Sequence, residues 1–144
     1  CVVFGQRAGS LAAAEASKLV PKISLKHPGR MHAGRELDID DLRNSLRSIM
    51  WRNVGVERDA AGLKYALDSI QFWSGYVLDR SFDSPEAWEL QNLMTLAKLV
   101  TESALYRKES RGVHMRRDHP KTNDRRWKKR IVVRREKKIT ETPV

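Results

Sequence analysis

Two stretches of helical apolar spacing, each of about 22 residues and separated by a tight turn, leave this chain little choice of architecture. Asp59 is placed to cap the first, and Leu63, Leu67, Ile70, Trp73 and Val77 form its apolar stripe, which is predicted to run to about Phe82. Ser84-Pro85-Glu86 opens the second, with Ser as N-cap, Pro at the first helical position and Glu in the first turn. Ala87, Leu90, Leu93, Met94, Ala97, Val100 and Ala104 trace its apolar face, and Gly112 stands at its expected end. Two long helices joined by so short a turn must lie antiparallel. Ahead of them Asp38 caps a third helix, with Asp40 and Asp41 in its opening turn, Ile39, Leu42, Leu46, Ile49 and Met50 on one face, and Gly55 as a stop after Asn53. The expected fold is all-α: an antiparallel three-helix bundle, spectrin-repeat-like, over residues 37–113.

The flanks differ from this centre. Residues 1–36 read as a helix already under way, followed by a linker. Val2, Val3, Phe4, Leu11, Ala12 and Ala14 to Leu19 carry it, and no good N-cap precedes it, since Cys1 is a poor one. Gly5, Ala8, Gly9, Ala12, Ala13 and Ala16 give it a small-residue side suited to close packing against a neighbouring element. Pro21 ends it, and Pro28, Gly29 and Gly34 mark the polar linker. Residues 114–144 read as a basic, extended tail. Within it Ile131-Val132-Val133 is β-prone but has no evident partner in the chain, so it is expected to lie on the bundle or on an edge elsewhere.

Charge follows the same division. The formal net charge is +10, and the stretch from Arg107 to Lys138 carries 15 Lys or Arg against 4 Asp or Glu, so the rest is close to neutral. Such asymmetry suits a nucleic-acid or acidic-partner surface, or a tail whose charges pair with another domain. With 144 residues the chain can bury a core without staples, and its one cysteine cannot form an internal disulfide. Its apolar runs fall short of the roughly 20 residues of a membrane span, so a soluble cytoplasmic domain is expected.

Catalytic motifs are missing: no GxSxG, HExxH, P-loop or strand-linked GxGxxG occurs. His27 and His32 sit in the linker and His114 and His119 in the tail, without zinc spacing, so no metal is expected. Of the tryptophans, Trp73 belongs to a buried stripe, while Trp51 and Trp88 are expected to be partly buried near helix ends. Trp127, inside Arg125-Arg126-Trp127-Lys128-Lys129-Arg130, has the basic–aromatic setting of a single-strand binder. One suggestive polar cluster remains: Glu109, Arg111 and His114. Arg111 can give a carboxylate two parallel hydrogen bonds. Either Glu109 or Asp118 receives it and fastens the tail to the bundle, or Arg111 or His114 points across a domain boundary.

The run Arg107-Lys108-Glu109-Ser110-Arg111-Gly112-Val113-His114, with Asp118 and Pro120, resembles the RxESRGxHxxxDxP segment near the C-terminus of flavoproteins of the L-aspartate oxidase and succinate dehydrogenase/fumarate reductase group. Val3-Phe4-Gly5-Gln6-Arg7-Ala8-Gly9 and Glu89-Leu90-Gln91-Asn92-Leu93 are similar to other parts of that family. Met50-Trp51-Arg52-Asn53-Val54-Gly55-Val56, with Arg58-Asp59 and Gly62-Leu63, resembles the L-aspartate oxidase version of the central helices. Thr122-Asn123-Asp124-Arg125-Arg126-Trp127 is closer to the dehydrogenase branch. The resemblance implies the C-terminal helical domain of an FAD-dependent L-aspartate oxidase, which turns L-aspartate into iminoaspartate for NAD biosynthesis. It implies FAD in the full-length protein and none on this segment, no catalytic residue here, and an upstream FAD-binding domain as partner. Quinolinate synthase, or an iron–sulfur subunit in the dehydrogenase branch, would be further partners. The reading from another class is a basic helical nucleic-acid-binding module.

Overall fold

Three polar side chains set where the central helices begin. In the computed structural model, which describes residues 2–16, 37–134 and 138–144, helix α2 (Ile39–Val54) starts behind Asp38, whose carboxylate accepts from the Asp41 N–H at 2.9 Å. Helix α3 (Ala60–Val77) starts behind Asp59, which accepts from the Gly62 N–H at 2.8 Å. Helix α4 (Pro85–Tyr106) starts behind Ser84, whose hydroxyl accepts from the Ala87 N–H at 3.3 Å. Each cap takes a donor that a first turn leaves without an intrahelical partner. All three starts agree with the sequence reading.

The helices then pack pairwise around one core. Leu46, Ile49 and Val54 of α2 meet Leu63, Ala66, Ile70 and Val77 of α3 and Leu90, Met94, Ala97 and Ala104 of α4, all buried. Polar contacts fix their directions. Gln91, early in α4, donates to the Val77 and Arg80 carbonyls at the end of α3, both at 2.9 Å, so these two helices run antiparallel. Arg43, early in α2, donates to the Glu86 carbonyl at the start of α4 at 3.1 Å, so α2 and α4 run the same way. The result is the expected up–down–up bundle.

Several boundaries and faces depart from the sequence reading. Helix α3 stops at Val77 rather than near Phe82, and Gln91 takes its last carbonyl, that of Val77, together with that of Arg80 in the turn beyond. Helix α4 stops at Tyr106, well before Gly112, because Arg107 turns to an extended conformation. Val100, assigned to the core face, is exposed, while Thr101 is buried in its place. The Thr101 hydroxyl bonds back to the Ala97 carbonyl at 2.7 Å, which removes the cost of burying it. Trp51 lies 84% exposed and is not partly buried.

Strand pairing is the second correction. Ile131 and Val132 belong to strand β3 (Lys129–Val132), and β3 does have a partner in this chain: it pairs antiparallel with β4 (Thr140–Pro143), Ile131 opposite Glu141. A two-residue parallel pair, β1 (Glu57–Arg58) with β2 (Met115–Arg116), joins the α2–α3 connection to the basic segment. Between them lies the one-turn helix α5 (Asp124–Trp127), capped by Asn123, which accepts from the Arg126 N–H at 3.1 Å. Helix α1 (Val2–Ala16) has no buried residue. Cys1, His27, His32 and the predicted linker around Pro21, Pro28, Gly29 and Gly34 lie outside the described residues. No helix among the described residues is long and apolar enough to cross a membrane.

Candidate functional site

At the end of the bundle where α4 finishes and α3 begins, the basic segment folds back and two buried charges organise it. Helix ends leave carbonyls without intrahelical donors. Here Arg116 supplies them: its Nη1 donates to the carbonyls of Ala104 at 2.8 Å, Arg107 at 3.2 Å and Leu105 at 3.3 Å. Its Nε and Nη2 make the two-pronged pair with Asp118, both at 2.7 Å. Arg116 is 1% exposed. Asp118 also accepts from the Ala60 N–H at 3.1 Å, in the first turn of α3. One Arg–Asp pair therefore ties the last turn of α4 to the first turn of α3. The Arg116 hydrogen bonds, outweighing partial burial, hold the Asp118 carboxyl far below the usual carboxylate range.

Glu109 is the second centre, and it is fully buried. It accepts from Arg107 Nη1 at 2.6 Å, Arg111 Nε at 2.9 Å, Arg111 Nη2 at 3.1 Å and the Asn123 N–H at 2.8 Å. Burial pushes its carboxyl upward, but the bonds from Arg111, Asn123 and Arg107 win and hold it at about 2. Arg107 spreads further, to the carbonyls of Trp127 at 2.9 Å and Lys129 at 2.7 Å. Arg111 also pairs with Asp124 at the start of α5. Those two carboxylates raise the Arg111 guanidinium above its ordinary value.

Gly112 serves a different purpose from the expected helix stop. Arg111 and His114 exchange backbone hydrogen bonds of 2.8 and 3.0 Å across a two-residue turn, and Gly112 at its first position has φ +57°. That left-handed conformation suits Gly. Ser110 closes the loop, donating to the His119 carbonyl at 2.9 Å and accepting from the Arg116 N–H at 2.8 Å. His114, half-buried, places Nε2 3.1 Å from the Arg107 carbonyl. Burial is the main cause that lowers its pKa, opposed by that carbonyl and reinforced by Arg58, Arg116 and Arg107.

Of the three residues singled out from sequence, Glu109 and Arg111 are thus in direct contact, and His114 lies across the turn from Arg111. Asp118, the alternative acceptor for Arg111, is taken by Arg116 instead. Sequence reasoning missed Arg116, one of many cations in a basic run; the Asp two residues on was the only local hint. It also missed Glu141, which accepts from Tyr106 at 2.9 Å, Arg126 at 2.7 Å and Lys129 at 2.9 Å and so anchors β4. Trp127 is not a free stacking platform. It is 6% exposed, with Arg126 4.5 Å and Arg107 5.6 Å from its ring centroid and Tyr106 edge-on at 5.7 Å. Among the described residues no group of three His, Cys, Asp or Glu is placed to hold a metal ion.

The chain is similar to a defined set of proteins. The family model described as fumarate reductase flavoprotein C-term matches residues 43–144. An uncharacterized FAD-dependent oxidoreductase of Methanocaldococcus jannaschii is 38% identical over 111 residues, which are 71% of this chain and 20% of that protein. One subunit of the fumarate reductase (CoM/CoB) of Methanothermobacter marburgensis is 34% identical, over 92% of this chain and 27% of its own length. A chloroplastic L-aspartate oxidase of Oryza sativa subsp. japonica is 36% identical over 62% of this chain and 15% of its own. The solved structure of Mycobacterium smegmatis Sdh1 in complex with UQ1 shares the fold, with a TM-score of 0.59 at 22% identity over 94% of this chain and 23% of that one. The chain thus spans about a quarter or less of the length of these relatives.

Proposed function

The chain belongs to the fumarate reductase flavoprotein C-terminal family, and from that premise we propose that it is the helical C-terminal domain of an FAD-dependent L-aspartate oxidase. In this reading the longer protein oxidises L-aspartate to iminoaspartate, passing electrons through FAD to oxygen or fumarate, and feeds NAD biosynthesis. The domain braces the flavin-binding part and carries no catalytic group.

The observation that supports a bracing role is the closure of the charge cluster. The guanidinium groups of Arg107, Arg111 and Arg116 are occupied by Glu109, Asp118, Asp124 and backbone carbonyls. Catalysis needs groups directed at a substrate, and these are directed at one another. Nor do the described residues make a flavin cradle: they contain no glycine-rich turn between a strand and a helix. In this reading FAD belongs to the remainder of the longer protein. The choice of L-aspartate is supported by the run from Met50 to Leu63, which resembles the oxidase form of these helices.

A second reading, a fumarate reductase or succinate dehydrogenase flavoprotein with a separate iron–sulfur partner, is favoured by the segment Thr122 to Trp127 and by the 92% coverage of this chain in the match to a fumarate reductase. No feature of the described residues supports quinolinate synthase as a partner. The buried ring of Trp127 argues against a single-strand nucleic-acid role.

The test is to express the longer reading frame that contains this chain and record its flavin absorbance and turnover. Peroxide release with L-aspartate is the expected result. Turnover of succinate or fumarate without L-aspartate oxidation would establish the second reading, and a colourless, inert protein would sink both.

A further inference from the structure

The bundle core uses one face of α3, and a second face carries aromatic rings that nothing in the bundle covers. Tyr65, Phe72 and Tyr76 stand 63%, 64% and 48% exposed, on the side turned away from the buried Leu63, Ala66, Ile70 and Val77. With Ser69 they recur in steps of four, three and four residues. That is the period of a seam against which another helix packs, not a scatter of surface rings. Phe72 and Tyr76 already stand edge to face, with ring centroids 5.2 Å apart.

Room for a partner lies beside the rings. Ser69 is small, and a methyl added at Gly75 would meet nothing within 4 Å. Toward α2 an open groove of about 360 Å³ runs along the same side, with Tyr65, Ser69 and Trp73 on one bank and Ser45, Ser48 and Arg52 on the other. A ridge and a recess on one face are what a contact between two identical surfaces requires, since each copy must supply both.

The charges point to the same partner and give its direction. Lys64 lies near the start of α3 and Asp79 just past its end, where Leu78 keeps helical dihedrals (φ −77°, ψ −25°). At about 100° per residue both fall on the same side of the aromatic stripe. Both are exposed, and neither has an ion-pair partner among the described residues. An antiparallel copy of α3 brings Lys64 of each chain to Asp79 of the other, whereas a parallel copy sets like charges side by side.

We propose that α3 is a dimerisation helix, pairing antiparallel with α3 of a second copy about a two-fold axis near Gln71 and Phe72. The rings of each ridge lie over Ser69 and Gly75 of the other copy, and a Lys64–Asp79 pair closes each end. Six half-exposed rings offer about 700 Å², and the flanking residues carry the contact toward the about 1,200 Å² at which specific interfaces begin. The contact does not depend on which substrate the longer protein takes.

The test is sedimentation equilibrium of the longer protein that contains this chain, with the 144-residue chain alongside. A monomer–dimer equilibrium with a roughly micromolar Kd is expected for both. Phe72→Glu is expected to weaken association about tenfold or more with helical circular dichroism unchanged, because the ring takes no part in the core. Lys64→Glu and Asp79→Lys are each expected to weaken it about threefold or more, and the two in one chain to restore it. Dimers that survive Phe72→Glu, or a double charge exchange that restores nothing, would overturn the proposal. So would a longer protein that stays monomeric while the 144-residue chain dimerises, which would assign this face to the remainder of the same polypeptide.

Discussion

Glu109 and Arg116 are where single side chains decide the most. Glu109 is fully buried and accepts four hydrogen bonds from three residues, so removing its charge leaves Arg107 uncompensated in the interior. Glu109→Gln is expected to cost about 3–5 kcal/mol in urea unfolding, the usual penalty for breaking a buried pair from one side. Arg116→Ala is expected to fall in the same range, about 3–5 kcal/mol, since it strips Asp118 and three carbonyls together. Arg111→Ala, on a side chain 39% exposed, is expected to cost much less in the same titration. The pH dependence follows from the sign of the shift. The Glu109 carboxyl drops from 4.5 to about 2 on folding, so the unfolded state binds its proton first. Its contribution is therefore complete above about pH 4.5 and is lost as pH falls toward 2. Glu109→Gln is expected to flatten the stability profile across that window, leaving the slopes due to Asp118 and Glu141, whose pKa values are also depressed. An unchanged profile would mean that Glu109 is not ionised in the fold.

The elements are set mainly by their ends. Ser84→Ala is expected to cost about 1 kcal/mol by thermal unfolding, the value of an ordinary N-cap. Gly112→Ala is expected to cost about 1–2 kcal/mol through φ alone, since nothing lies near enough to clash with an added methyl. The helix starts were legible because capping is local: an Asp or Ser bonds a donor three residues away. The ends of α3 and α4 were not, because the groups that take their last carbonyls, Gln91 and Arg116, stand 11 to 14 and 9 to 12 residues away in the chain. The β3–β4 hairpin escaped for a related reason. Thr140-Glu141-Thr142-Pro143 looks like a polar tail, and only the convergence of Tyr106, Arg126 and Lys129 on Glu141 makes it a strand.

At the scale of the molecule, the bundle and the basic segment form a single packed body in which α1 takes no buried part. Deleting residues 1–16 is therefore expected to leave the midpoint of thermal unfolding, followed by helical circular dichroism, unchanged. A clear fall would show that α1 packs on the bundle in solution.

Local chemistry was enough for the three-helix bundle. A period of 3.6 residues, a cap at each start and one short connection specify which faces meet, and the 84–106 stretch alone carries most of that message. The charge cluster needed the folded chain. From Arg107 to Lys138 the sequence offers 15 cations and 4 anions, and local spacing suggested one pairing, Arg111 with Glu109 or Asp118, without choosing between them. Coulomb attraction depends on distance in space, and burial, which strengthens it, exists only once the helices have packed. Folding alone decided that Arg116 would cap α4 and take Asp118, and that Glu109 would hold Arg107 together with Arg111.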